Sequence, residues 1–151
     1  MAPREVFLSH SHQDRAFASR LPETLGRHGV PVWYSRERIQ GAQQWHDEIG
    51  KALRRCGWFA LVLSSSAVRS EWVKRELLFA LQKRRYQKRI VPLLRRRCRY
   101  DRLSWTLDSM QHIDFTGDFA AACRTLLKIW GIGYQPPARR PASAGRHRGR
   151  G

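Results

Sequence analysis

Acidic side chains are scarce in this chain: 12 Asp and Glu stand against 29 Lys and Arg in 151 residues, a formal net charge of +17. Cysteine is nearly absent as well. Cys56, Cys98 and Cys123 are odd in number and far apart, which argues against a disulfide framework and for a reducing compartment. None of them stands at zinc-ligand spacing. No hydrophobic run approaches the roughly 20 residues of a membrane span. The longest block, Trp58 to Leu63, has the length of a buried strand. The opening Met-Ala-Pro-Arg-Glu lacks the apolar region of a secretory signal. A cytoplasmic domain with no membrane partner is the expectation.

Several chemistries are missing their residues. There is no GxxxxGK phosphate loop, no GxGxxG fingerprint and no GxSxG nucleophile elbow. The run Ser64–Ser66 therefore reads as a strand end and turn rather than as hydrolase nucleophiles. His10 and His12 alternate after a strand and point in different directions, and no third ligand has helpful spacing, so no metal site is expected. A phospho-receiver needs Asp at the end of the third strand and Lys at the end of the fifth. This chain has Ser64 and Thr116–Gly117 there.

What is present is a 42% hydrophobic chain of one-domain length, enough to bury a core. Its positive charge is mostly Arg and is spread throughout, with concentrations at Lys83–Arg102 and from Arg139 onward. Such a surface attracts anions of any kind. Beyond Gly133 the composition turns to Pro, Ala, Gly, Ser and Arg, too poor in apolar residues to order itself. Residues 1–133 are read as the domain and 134–151 as a disordered basic tail, the only part expected to contact nucleic acid.

Along the domain, strand and helix alternate. Glu5–Ser9 reads as a short buried strand, followed by a helix capped by Asp14 that carries Phe17, Leu21 and Leu25 and is kinked or shortened by Pro22. Val30–Tyr34 is a second strand, and Ser35–Gln44 a long polar loop of the kind that carries function. Trp45, Ile49, Leu53 and Cys56 repeat as an amphipathic helix. Trp58–Leu63 is the third strand. Arg89–Leu94 is a fourth, placed near an edge or bulged because Pro92 has no amide donor. His112–Phe115 is a short fifth, and Phe119 to Trp130 a final helix. Nearly continuous hydrophobic strands between helices predict a parallel sheet covered on both faces. Ligands on such sheets sit beyond the carboxyl ends of the strands. Those ends are Ser9–His12, the loop 35–44 and Ser64–Ser66.

The helix leaving the last of these ends begins Ser70-Glu71-Trp72-Val73-Lys74-Arg75-Glu76-Leu77. Ser70 is its N-cap and Glu71 suits its positive end. Trp72 and Glu76, four apart, share a face, while Val73, Leu77 and Leu81 form a separate apolar stripe that can anchor the helix. A carboxylate beside an indole is thereby aimed toward the rim where the polar strand ends meet. The competing reading is an ordinary solvated glutamate.

Val6 to Asp14 resembles the first signature box of Toll/interleukin-1 receptor (TIR) domains. Val32 to Tyr34, with Ile39 to Gly41 and Trp45, is similar to that family's second strand and following loop. Ser70 to Leu77 resembles the W-x-x-x-E segment of its catalytically active members. Arg89–Leu93 and Ile113–Phe115 fit the later strands, so the match runs over residues 5 to 132 in order. The resemblance implies a flavodoxin-like three-layer sandwich with a five-stranded parallel sheet, and two modes of action. One is cleavage of NAD+, as substrate with no further cofactor, at the nicotinamide–ribose bond. Glu76 would be the catalytic carboxylate, with His10, Ser11, Gln40, Trp45 and Trp72 binding the substrate, and with activity raised by self-association. The other is scaffolding through other TIR domains without chemistry. The family commonly has Tyr where this chain has His10, and Asp where it has Ser35. For Trp45 the alternative is a core anchor of its own helix.

Overall fold

A computed structural model describes residues 2–35 and 42–138. The first strand, β1 (Val6–Ser9), leads through a 3-10 turn into α1 (Arg15–Ala18) and α2 (Arg20–Arg27). Then come β2 (Val32–Trp33), α3 (Ala42–Arg55), β3 (Trp58–Leu63), the short α4 (Ser65–Val68) and α5 (Glu71–Gln82). After these come β4 (Ile90–Leu94), β5 (Ile113–Asp114) and α6 (Phe119–Ile129). All five strands pair in parallel in the order β2-β1-β3-β4-β5. This is the doubly wound arrangement expected from the alternation of elements, with helices on both faces.

Strand periodicity assigns the two faces. Val6 and Leu8 of β1, with Ala60 and Val62 of β3, face the helices α1, α2 and α6, where Phe17, Leu21, Leu25 and Leu126 are buried. Phe7, Phe59, Leu61 and Leu63 face α3 and α5, against Ile49, Leu53, Val73 and Leu77. On that second face the Phe7 ring stacks on Trp33 at 5.0 Å and on Phe59 at 5.4 Å, so three strands are bound through one aromatic row. Ser9 shares Phe7's side of the strand and comes out under α5.

Pro22 acts as expected. It lacks the amide that would bond the Ala18 carbonyl, and the helix breaks at Ser19 into α1 and α2. One expectation is corrected. Asp14 makes no side-chain cap bond to the helix it precedes; its carboxylate is engaged by serine hydroxyls instead. Pro92 lies near an edge as expected, on β4 beside the short outermost strand β5, and its register carries no bulge. In β4, Arg95 N–H bonds Leu63 on β3, while the Leu94 carbonyl accepts from Phe115 on the β5 side. Parity therefore turns the Pro92 nitrogen toward β5, which begins only opposite Leu93, so no ladder donor is missed.

The second and fifth strands are shorter than expected, two residues each. Past Gly133, Tyr134 stacks on His28 at 5.4 Å, and the Gln135 N–H bonds His28 Nε2. Cys56, Cys98 and Cys123 are free thiols, and burial pushes Cys56 and Cys123 up to about 12, which leaves them inert at neutral pH. No helix among the described residues is long and apolar enough to cross a membrane.

Candidate active site

Helix α5 begins at Ser70, whose hydroxyl accepts the Val73 N–H at 3.3 Å. Its buried positions are Val73, Glu76, Leu77 and Ala80, spaced as a single helical stripe. Glu76 thus belongs to the face that docks the helix, not to a separate one beside it. This departs from the reading of Trp72 and Glu76 as one free-standing pair. Trp72 stays at the rim, 36% exposed, whereas Glu76 is 8% exposed.

At the carboxyl end of β1, the Ser9 hydroxyl donates to Glu76 Oε1 at 2.9 Å. Burial pushes the Glu76 carboxyl up from 4.5 to about 8, against a smaller opposing effect of the Ser9 hydrogen bond, which favours the charged form. A group this shifted is proton-bound for most of the time at pH 7. It is also primed to ionise when a positive charge arrives. Such perturbed carboxyls concentrate where chemistry is done.

The neighbouring strand ends are fastened to each other. The Asp14 carboxylate Oδ2 accepts from the Ser11 hydroxyl at 2.8 Å and from the Ser64 hydroxyl, and Ser64 also caps α4 by accepting the Ala67 N–H at 3.1 Å. Ser64 thus serves as turn and cap, as the absence of a nucleophile elbow implied. Ser11 is 3% exposed and is committed to Asp14. His10 Nδ1 lies 2.8 Å from the Ser11 carbonyl. A carbonyl only accepts, so Nδ1 is the donor, and in the neutral ring Nε2 is then the acceptor. Nε2 is buried and has no hydrogen-bond partner among the described residues.

The aromatic wall comes from two helices. The Trp45 indole of α3 donates to the Ser35 hydroxyl just past β2, at 2.9 Å. The Trp72 and Trp45 rings meet edge-to-face, with centroids 4.1 Å apart, and the Arg75 guanidinium lies 5.5 Å from the Trp72 ring. Trp45 is therefore both an anchor of α3 and a support for Trp72. Trp72 lies one helical turn, about 6 Å along the axis, before Glu76. Of the residues singled out from the sequence, His10, Ser11, Trp45, Trp72 and Glu76 gather at the carboxyl ends of β1, β2 and β3. Gln40 lies outside the described residues. Sequence reasoning missed Ser9 as the partner of Glu76 and Asp14 as the bridge between strand ends. The alternation in β1, which puts Ser9 on the face of Phe7, was the available signal for the first.

A family model described as "TIR domain" matches residues 6–127. The chain belongs to the TIR-domain family. Among curated proteins, this TIR domain is 31% identical over 74 residues to 2' cyclic ADP-D-ribose synthase AbTIR of Acinetobacter baumannii, covering 48% of this chain and 28% of that protein. It is 32% identical over 83 residues to NAD(+) hydrolase PdTIR of Paracoccus denitrificans, covering 53% of this chain and 28% of that protein. The matched stretch is thus less than a third of the length of these relatives. The fold agrees with the crystal structure of the TIR domain of the Toll-related receptor TRR-2 from Hydra magnipapillata, at TM-score 0.67 and 19% identity, covering 82% of this chain and 95% of that one. It also agrees with the TIR domains of the activated Roq1 resistosome, at TM-score 0.59 and 16% identity, covering 84% of this chain and 99% of that one.

Proposed function

We propose that this TIR domain cleaves NAD+ at the bond between nicotinamide and ribose, with Glu76 as the essential carboxylate. The reading is carried by one observation: a glutamate 8% exposed, bonded to Ser9, where the strand ends meet. Bacterial relatives named NAD(+) hydrolase and cyclic ADP-ribose synthase support it.

A single carboxylate suits this reaction. Glycosidases need a second carboxyl to protonate a leaving oxygen. In NAD+ the pyridinium leaves with the electron pair of the C1′–N bond and becomes neutral, so no general acid is required. The positive charge passes to the ribose as an oxocarbenium-like centre. Water adds to it and loses a proton to give ADP-ribose, or a hydroxyl of the same molecule adds to give a cyclic product. Ionised Glu76 stabilises that centre, in a setting where burial makes the attraction stronger than in water. The bound pyridinium also favours ionisation of Glu76, so substrate recruits its own catalyst. His10 Nε2 accepts a substrate hydroxyl or amide, Ser11 fixes the His10 tautomer through its carbonyl, and Gln40, which follows β2 in the sequence, contributes a donor. Trp72, supported by Trp45, walls the site against water.

Self-association with copies of this chain or with other TIR domains completes the proposal, and activity per molecule rises with concentration. The alternative, a TIR–TIR docking module without chemistry, is favoured by the outward Trp105 and Leu78, 81% and 43% exposed. Release of free nicotinamide from NAD+ separates the two. The wild type releases it and folded Glu76→Ala does not; full turnover by that variant removes Glu76 from the mechanism, and silence of the wild type at every concentration favours docking.

A further inference from the structure

A second cluster lies at the other end of the sheet. Trp58 opens β3 and pairs with Val6, the first residue of β1, while Glu76 meets Ser9, the last. The separation is a strand length, about 10 Å. At this amino-terminal end an open hollow of about 550 Å³ is lined in part by the apolar side chains of Trp58, Leu81, Ile90, Met110 and Ile129. Its size falls in the range of small-molecule sites, roughly 300–1,000 Å³. Lys83, Arg84 and Lys88 stand on its rim, and no acidic residue lines it.

An adjoining hollow of about 390 Å³ shares Arg84, Gln87 and Lys88 and adds Arg85 and Arg89, so four of its five lining residues are cations. The ion pairs among the described residues are Lys51–Glu48, Arg55–Glu5 and Arg99–Asp101, and none involves these five cations. The Lys83 ammonium rests 4.8 Å from the Phe79 ring, held by a π face rather than by a carboxylate. Lys88 has φ of 60°, a left-handed conformation that side-chain-bearing residues avoid, and it is the one non-glycine residue so placed among those described. Local strain of this kind is retained where a segment is held in place, and it gathers at ligand clamps.

We propose that this end of the sheet is a second binding site, for a small organic phosphate that carries a flat apolar group, of the nucleotide class. The apolar hollow takes the base, and the Arg84–Lys88 hollow beside it takes the phosphates. Two features favour a small ligand over a nucleic-acid strand or a membrane. The cations are gathered in one turn between α5 and β4 rather than laid along a track, and they border a concave apolar space rather than a protruding apolar patch. The site is independent of Glu76.

Calorimetric titration of the full chain with AMP tests this, with adenosine, inorganic phosphate, an eight-nucleotide single strand and phosphatidylserine vesicles as comparison probes. AMP binds one to one, at least tenfold more tightly than adenosine or phosphate alone. Both Arg84 and Lys88 are exposed, so the double substitution Arg84→Glu and Lys88→Glu leaves the fold intact while weakening AMP at least tenfold. Met110→Trp, which fills the hollow, also weakens AMP. Glu76→Gln leaves AMP affinity within twofold, which separates this site from the candidate active site whether or not nicotinamide is released there. The proposal is overturned if AMP does not bind at millimolar concentration, or if the charge reversal leaves its affinity unchanged. It also fails if binding is lost with Glu76→Gln, or if only the oligonucleotide or the vesicles bind and respond to Arg84 and Lys88.

Discussion

Replacing Glu76 by Gln should flatten the dependence of folding stability on pH. In the native protein burial holds the Glu76 carboxyl at about 8, up from 4.5. Between these two values the native state keeps a proton that the unfolded chain gives up. Stability from this group is therefore fully present below pH 4.5, falls as pH rises, and is gone above about 8. At about 1.4 kcal/mol per pH unit the interval corresponds to about 5 kcal/mol. For a chain of this length that is about 10–20 °C in Tm. Gln keeps the shape and still accepts from Ser9, but it does not titrate. Its unpaired amide hydrogens impose a cost independent of pH. The assay is thermal unfolding of both proteins from pH 5 to 8.5. Cys56 and Cys123 are shifted in the same direction, but their losses begin near the ordinary thiol value of 9.0, above this window. The general charge repulsion of a +17 chain is close to common to both proteins and largely cancels in the difference. The expected result is a wild-type Tm that loses about 10 °C or more relative to the variant across the window. Parallel curves would refute the raised value and, with it, the idea of a carboxyl waiting for a cation.

The same carboxyl should set the pH profile of nicotinamide release. kcat/KM rises with pH to a plateau above about 8, and kcat reaches its plateau at lower pH because the bound pyridinium favours the carboxylate; coincident midpoints would contradict that coupling. Ser9→Ala removes the hydroxyl that favours the charged form, so the limb moves to higher pH and the rate at pH 7 falls about tenfold, an effect the size of one hydrogen bond to a charged group. An unshifted limb would exclude Ser9 from the charge balance. Trp72→Ala loses an edge-to-face pair worth about 1 kcal/mol, and KM rises by more than the stability loss explains. Unchanged kinetics in that variant would make Trp72 a packing residue only.

Much of the fold was readable because its signals were local. The third strand, Trp58–Leu63, and the helix break ahead of Pro22 follow from apolar runs and a missing amide, and the Ser70 cap from its hydroxyl at a helix start. The site was less readable, because its contacts join segments far apart in the chain. Spacing of four groups Trp72 with Glu76 on an isolated helix, but docking against the second face of the sheet selects the 73–76–77–80 stripe and turns Glu76 inward. Asp14 has the type and place of a cap. Ser64, fifty residues later, donates to its carboxylate, which makes no cap bond to the helix. The indole bond from Trp45 to Ser35 likewise depends on how α3 returns to the end of β2. The cationic run near Lys83 was visible as charge, yet the hollow it borders needed the ends of α5 and α6 to be brought together.

The two outermost strands, Val32–Trp33 and Ile113–Asp114, offer very little backbone to a neighbour. A sheet edge of ordinary length is a template on which another molecule can add a strand; an edge two residues long supplies only one or two bonds. Copies of this chain that come together must therefore recognise one another through side chains on helices and loops. Single surface substitutions should then dissolve such assemblies, because the edges among the described residues are too short to template a continuous sheet.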